Sequence, residues 1–316
     1  MNNFKKISLT ALAGSLVATS VAFAGEMTAT GSAEMKMTNN SQSAAGKTVG
    51  MGNSVTFAGS GETDAGLNVA ASFELDQGAG DGTGPFDSHS VSVGNDTLGT
   101  LKVHGHGGSN AASALDGTAA GDFWDNTLGI SSSNTPQSAA SGNGLVVYSL
   151  PSVVDGLALA ASYASAGENH AGSTAYGGTY TGFEGLSLSF GKGENSATQN
   201  VDIDQTIMKA SYAYGPITVA YSNNDYDHTT TNNDQEVKSF SLAYTLTDAI
   251  SLSYGEETIE KTGTSSDIEI EGMTASYTSG GMTLGLTSIE ATNVDHSSTA
   301  TANDNEFWKV SLAFAF

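Results

Sequence analysis

Polar and apolar residues alternate through most of this chain in segments of about ten residues. The C-terminal segment is the clearest, since Trp308, Val310 and Phe316 share one parity and Lys309 and Ser311 share the other. Successive side chains of a β-strand point to opposite faces of the sheet. The alternation therefore predicts strands with one apolar and one polar face, and it recurs at 67–75, 157–163, 240–246 and 250–254.

The connections between these segments are of two kinds, and the two kinds alternate along the chain. The short ones lie at 63–65, 95–97, 153–156, 182–184, 215–216, 247–248 and 279–280. The long polar ones lie at 39–47, 76–85, 107–143, 165–172, 195–201, 223–235, 261–266 and 293–304. Short turns on one side and long loops on the other are typical of outer-membrane barrels. The sequence thus predicts an all-β fold, a 16-stranded antiparallel transmembrane β-barrel with a long third loop.

One predicted strand does not keep a single parity. Ile268 and Ile270 occupy even positions, whereas Met273 and Tyr277 occupy odd ones. If all four side chains face lipid, one extra residue must be inserted between the two pairs. This predicts a β-bulge near Gly272.

The N-terminus is typical of a secretory signal peptide. Lys5 and Lys6 precede an apolar stretch from Ile7 to Phe23, and residues 22–24 read Ala-Phe-Ala, a small-residue cleavage site. We therefore predict a signal peptide at 1–24 and a single barrel domain at 25–316. An uncleaved anchor helix is the alternative.

Charge and composition exclude several functions. The formal net charge is −23, all ten basic residues are lysine, and only 14% of residues are charged. A chain this acidic is not expected to bind nucleic acid, because phosphate contacts need a basic surface. The absence of cysteine excludes a Cys-based zinc site. We find no G-x-S-x-G or H-E-x-x-H motif, and we predict neither an enzyme nor a bound cofactor.

Two segments resemble the Gram-negative trimeric porins: the final strand from Phe307 to Phe316, and 148–163, which begins Tyr-Ser-Leu-Pro. The resemblance implies a homotrimer surrounded by outer-membrane lipid and lipopolysaccharide, with one pore per subunit and a third loop that folds into the pore and narrows it. It also implies that the outer-membrane assembly machinery reads the end of the last strand, Phe316 together with Phe314 and Leu312. The chain departs from the family in lacking arginine, which family pores usually cluster opposite acids of the third loop.

Parity and the third loop supply candidate residues for a pore constriction. The candidates on the wall are Lys36, Lys102, Lys309, Glu34 and Glu74, and those on the third loop are Asp116, Asp122 and Asp125. Opposed lysines and aspartates would create a transverse field that selects solutes by charge. The alternative is that these are solvated charges on a wet wall.

Three further groups each have two interpretations. His104 and His106 share a strand face and would either bind a metal ion or remain wetted pore histidines. Phe123 and Trp124 would either stack on a ring-shaped solute or fix the loop by packing. Oxygen-rich loops would either bind hard cations or be solvated: Asp225, Asp227, Asn232, Asn233 and Asp234, and Asp295, Asp304 and Glu306.

The leading hypothesis is a passive diffusion channel for small hydrophilic solutes and ions, with a preference for cations. Lysines predicted in the bore, Lys209 among them, argue the other way. A solute-specific channel is the alternative, and an outer-membrane barrel enzyme or a calcium-binding adhesin is disfavoured. Ala29, Gly31 and Ala33 give the first strand a small-residue outer face suited to close packing in a trimer.

Overall fold

The computed structural model describes residues 27–41, 46–76, 86–126, 128–136, 143–165, 172–198, 201–229, 233–298 and 304–316. The predicted signal peptide at 1–24 lies outside this part of the chain, as does Asn232. The strands are β1 (Met27–Asn40), β2 (Thr48–Glu62), β3 (Asn68–Asp76), β4 (Ser88–Asn95), β5 (Gly99–His106), β6 (Leu145–Ser149), β7 (Leu157–Ala164), β8 (Ser173–Tyr180), β9 (Leu186–Thr198), β10 (Val201–Tyr214), β11 (Ile217–His228), β12 (Gln235–Thr247), β13 (Ile250–Lys261), β14 (Ile268–Ser279), β15 (Met282–Thr292) and β16 (Asn305–Ala315). Short 3₁₀ helices cover Ser113–Leu115, Phe123–Asp125 and Val294–His296.

The strands form one closed antiparallel barrel in which each strand pairs with its neighbours in sequence and β1 pairs with β16. The register of the closing pair places Met35 opposite Leu312 and Lys36 opposite Ser311. Phe316 completes this closure, because its backbone N–H and carbonyl exchange hydrogen bonds with Gly31 at 3.0 and 2.7 Å. The predicted strand number and antiparallel topology are confirmed.

The two faces of the barrel differ as the alternation predicts. Large apolar side chains such as Leu242, Leu252 and Leu286 remain exposed on the outward face, the arrangement of a barrel whose outer surface contacts lipid. The intervening inward residues are mainly small or polar. No helix in the described ranges is long and apolar enough to span a membrane.

The predicted bulge near Gly272 is wrong. Residue Gly272 pairs with Gly255 on one side and Ile289 on the other, and no register shift interrupts β14. Ile268 and Ile270 instead face inward, where both are buried in a cluster with Phe123. Their parity therefore differs from that of Met273 because the inner face is apolar where the third loop covers it.

Two predicted long loops are also shorter than expected. β9 continues to Thr198 and β10 begins at Val201, so the predicted loop at 195–201 is largely strand. Likewise β11 continues to His228, well into the predicted loop at 223–235. Strands that extend beyond the lipid can be polar on both faces because water solvates their side chains, so polarity alone does not mark their ends.

Candidate functional site

The first part of the third loop is fastened to β7. The Asn110 side-chain oxygen accepts hydrogen bonds from the N–H groups of Ala112 and Ser113, both at 2.8 Å, which starts the short helix at 113–115. The backbone N–H of Ala111 donates to Ser162 Oγ at 2.9 Å. Asn110, Ala111 and Ala112 are buried, so this part of the loop rests directly on the inner face of the wall.

The second part of the third loop is fastened to two further strands, β11 and β12. The N–H groups of Ala119 and Ala120 donate to the hydroxyls of Ser222 on β11 and Ser239 on β12, at 2.8 and 2.9 Å. Asn224 donates to the backbone carbonyl of residue 116. Wall side chains thus satisfy backbone hydrogen-bonding groups of the third loop.

Glu257 is the central anchor of this segment. Its side chain lies on β13 and is only 1% exposed. The carboxylate accepts hydrogen bonds from the Thr118 hydroxyl and from the Trp124 N–H, the latter at 2.9 Å. A buried carboxylate is tolerated where donors surround it. Sequence reasoning missed this residue, since parity places it on the inner face but does not show which inward side chains meet the third loop.

Two cross-strand pairs of glycines make room for the loop. Gly255 and Gly272 are directly opposite each other on β13 and β14. A Cβ atom at Gly255 would lie 2.5 Å from Ala120 Cβ, and one at Gly272 would lie 2.8 Å from the Phe123 ring. The second pair, Gly177 and Gly191 on β8 and β9, admits the loop near Ala111 and Ala112 in the same way.

Phe123 and Trp124 follow the packing interpretation. Phe123 is 4% exposed within an apolar cluster that includes Leu128 and inward side chains of β10–β16, and Trp124 packs against that cluster. The Phe123 ring is therefore not a free stacking surface, and the Trp124 ring is partly buried.

Two inward lysines hold the same loop. The Lys209 ammonium donates to the carbonyl oxygens of Gly117 and Thr118 at 2.7 and 3.3 Å. Lys261 donates to the Ser133 carbonyl at 2.7 Å and to the side-chain oxygen of residue 134 at 2.9 Å. Each ammonium therefore faces partial negative charges of the loop rather than open solvent alone.

The last loop fastens the third loop from the other side. One carboxylate oxygen of Asp295 accepts hydrogen bonds from the Ser131 N–H at 2.8 Å, the Ser131 hydroxyl at 2.7 Å and the Asn134 amide at 3.0 Å. Burial alone would raise the pKa of Asp295, but these hydrogen bonds outweigh it, and the pKa lies below its ordinary value. From the sequence, only solvent or a cation was expected to contact Asp295, whereas its partners in the structure are Ser131 and Asn134 of the third loop.

The predicted wall residues lie on the inner face: Glu34 and Lys36 on β1, Glu74 on β3, Lys102 on β5, and Lys309 on β16, the strand whose Phe307 packs against the third loop. Lys36 is 3.9 Å from Glu34, and both side chains are partly exposed. Glu74 accepts a hydrogen bond from the Ser88 hydroxyl at 3.0 Å. Lys102 pairs with Ser92 across β4–β5, and Lys309 pairs with Thr38 across the closing strands.

The three acids of the third loop occupy different environments. Asp116 is turned toward the covered wall, where Gln205 donates to its carboxylate at 3.3 Å. Asp122 caps its own loop by accepting the Thr118 N–H at 2.9 Å. Asp125 is exposed. The three therefore do not form one cluster.

The two candidate metal-binding histidines on β5 occupy different surroundings. His104 pairs with Ser90, whereas His106 pairs with His89 beyond a register shift and has its Nδ1 2.6 Å from the Asp87 carbonyl. Within the described ranges, no group of three histidine, aspartate or glutamate side chains is arranged to hold a metal ion.

The C-terminal phenylalanine has a prepared position on β1. Its ring lies over Gly31, and a Cβ atom there would overlap the ring. Phe316 is nevertheless 73% exposed, because the ring lies on the outward face. The Phe316 ring of the same subunit therefore requires a glycine at position 31, in addition to any packing between subunits.

The fold is shared with solved porin structures. The anion-selective porin from Comamonas acidovorans has a TM-score of 0.65 at 15% identity, over 92% of this chain and 100% of that one. A loop-deletion mutant of OmpT from Vibrio cholerae has 0.71 at 16%, over 93% and 100%. Salmonella typhi OmpF in complex with daunomycin has 0.70 at 12%, over 93% and 98%.

Sequence comparison gives the family. No curated protein matches the chain. The family model described as Gram-negative porin matches residues 8–269, most of the sequence. With the closed sixteen-stranded barrel, this match shows that the chain belongs to the Gram-negative porin family, the diffusion channels of the outer membrane.

Proposed function

We propose that this porin is a cation-preferring pore for small hydrophilic solutes, narrowed by its third loop. The observation that carries the proposal is the set of hydrogen bonds between inward side chains of β7 and β10–β13 and the backbone of loop residues 111–124. Because the loop is held against β7 and β10–β13, the open part of the bore lies between the loop and the wall of β1–β5. Solutes would then pass between Asp125 on the loop and Lys36, Lys102, Glu34 and Glu74 on the wall.

Cation preference follows from the balance of charge along this route. Three inward lysines have partners that offset their charge: Lys36 has Glu34, while Lys209 and Lys261 have loop oxygens. The whole chain carries a formal charge of −23. A mouth lined by one sign of charge concentrates the opposite ion. The Debye length of ~8–10 Å at ordinary salt lets that mouth field act near the constriction.

Reversal potentials across a potassium chloride gradient test this selectivity. We expect cation preference at about 0.1 M salt, where the Debye length is ~10 Å. Asp125→Asn should reduce the preference, and Asp155→Asn, in the short turn before β7, should leave it unchanged. Anion preference of the unmodified channel would show that Lys102 and Lys309 dominate.

We also propose a homotrimer. The small outward residues Ala29 and Ala33 on β1 support close contact with a second barrel, and family membership favours the same arrangement. Extracts in mild detergent should have three times the mass of one subunit by light scattering. A purely monomeric protein that retains channel activity would contradict the proposal.

We further propose that the signal peptide at 1–24 is cleaved and that the assembly machinery reads Phe316, with Phe314 and Leu312, before the barrel enters the lipid and lipopolysaccharide of the outer membrane. The alternating final strand and the pairing of Phe316 with Gly31 support this role. Deletion of Phe316 should leave the protein in the periplasm, and normal surface levels would contradict the assembly role.

A further inference from the structure

A cavity of about 290 Å³ lies between the first part of the third loop and the inner face of β6–β8. Its lining is mostly apolar and includes Ala111, Leu115, Val147, Ala158, Ala160 and Gly177, while Ser109, Asn110, Ser149 and Thr179 are its polar members. Ala158 is exposed, so the cavity is open to the solvent-filled bore. Its wall residues lie next to the short turns, on the side of the loop away from the external mouth.

The apolar character of this cavity is unusual for its position. The inner wall of a water-filled barrel is normally polar. Here Ala111 and Ala112 form a buried cluster with Ala175 and Ile207, and Leu115 and Ala160 pack against it. This cluster forms one side of the cavity. A Cβ atom at Gly177 would lie 2.5 Å from the Ala111 carbonyl oxygen and 2.7 Å from the Leu115 side chain, so the close packing here requires glycine.

Lys102 lies next to the apolar lining of this cavity. Val147 lines the cavity, and Lys102 is directly opposite Val147 in the β5–β6 pair, on the same inner face. Opposed residues have Cβ atoms about 5 Å apart, well within the reach of a lysine side chain. Lys102 is exposed and belongs to none of the ion pairs found among the described residues.

We propose that the cavity and Lys102 together bind small solutes that combine an apolar ring with a carboxylate, the aromatic monocarboxylates. The ring occupies the apolar cavity and the carboxylate meets the Lys102 ammonium. The volume equals that of about ten water molecules at ~30 Å³ each, enough for one substituted six-membered ring. The inference rests on the proposed open route past the third loop and adds a solute class to it.

Three probes separate the two halves of the site. Benzoate has the ring and the carboxylate, acetate has only the carboxylate, and benzyl alcohol has only the ring. We expect benzoate to block single channels reversibly, and to do so more strongly than either fragment. Recordings in about 1 M potassium chloride reduce the Debye length to ~3 Å and so remove the field of the acidic mouth.

Matched variants assign the contacts. Lys102→Ala should weaken benzoate block about tenfold, the effect of losing one charge-assisted hydrogen bond. Ala158→Leu should weaken it by filling the cavity. Lys36→Ala, a second inward lysine, and Ala243→Leu, on the inner face of β12, should leave benzoate affinity unchanged even where they alter conductance.

The outcomes distinguish this inference from the proposed channel. Equal block by acetate and benzoate would overturn it, as would unchanged benzoate affinity in Lys102→Ala and Ala158→Leu. If the protein conducts ions but benzoate does not block it, the proposed binding site is wrong and the proposed channel function is unaffected. If the protein does not conduct, equilibrium dialysis of labelled benzoate against the detergent-solubilised barrel still measures binding, so the two failures are separate.

Discussion

Removal of the Glu257 carboxylate should release the third loop from the wall. In Glu257→Ala, the Trp124 N–H and the Thr118 hydroxyl lose their acceptor in a site that is 1% exposed. Each unsatisfied buried donor costs about 1–3 kcal/mol, which gives about 2–6 kcal/mol for the pair. Relief of the buried charge and entry of water offset part of this, so we expect about 2–3 kcal/mol. The detached state of the loop should then rise about 30- to 160-fold in population.

Single-channel recording measures this change. We expect larger open-channel noise and a higher mean conductance in Glu257→Ala, because the loop leaves the narrow part of the bore more often. Glu257→Gln keeps one acceptor oxygen and should give an intermediate effect. Glu256→Gln is the matched control, since that side chain is the exposed neighbour on the opposite face. Conductance and noise equal to the unmodified channel in Glu257→Ala would refute the anchoring role.

Three shorter predictions test the other contacts. Gly272→Val should increase open-channel noise by forcing the Phe123 ring out of its position, whereas Gly52→Ala should have no effect because nothing lies within 4 Å of a Cβ there. Asp295 has a lowered pKa. Its contribution to holding the loop is therefore full above its unfolded pKa of about 3.9 and is lost as pH falls through the lower folded value. Channel noise should rise as pH falls below about 4, and Asp295→Ala should be noisy at all pH values. Gly31→Leu should lower surface assembly by displacing the terminal ring, as measured by surface labelling; normal assembly would contradict the role of that ring.

The sequence by itself determined the barrel. A period of two along each strand fixes which side chains share a face, and the alternation of short and long connections fixes both the strand number and which end of the barrel bears the loops. The inward positions of Lys36 and Lys102 followed from the same parity, as did the outward position of Trp308. These are local properties, because a strand alternates wherever it lies in the sheet.

Only the tertiary structure decided how the inner face is used. Inward residues were expected to be polar, but Ile268 and Ile270 face inward because the third loop supplies an apolar partner in Phe123. Glu256 and Glu257 are identical in type and adjacent in sequence, yet only Glu257 meets the loop. The loop contacts side chains that lie far beyond it in the sequence, from 51 residues for Ser162 to 139 residues for Glu257. The contacts of such a loop depend on the closed shape of the barrel, which the period along a single strand does not contain.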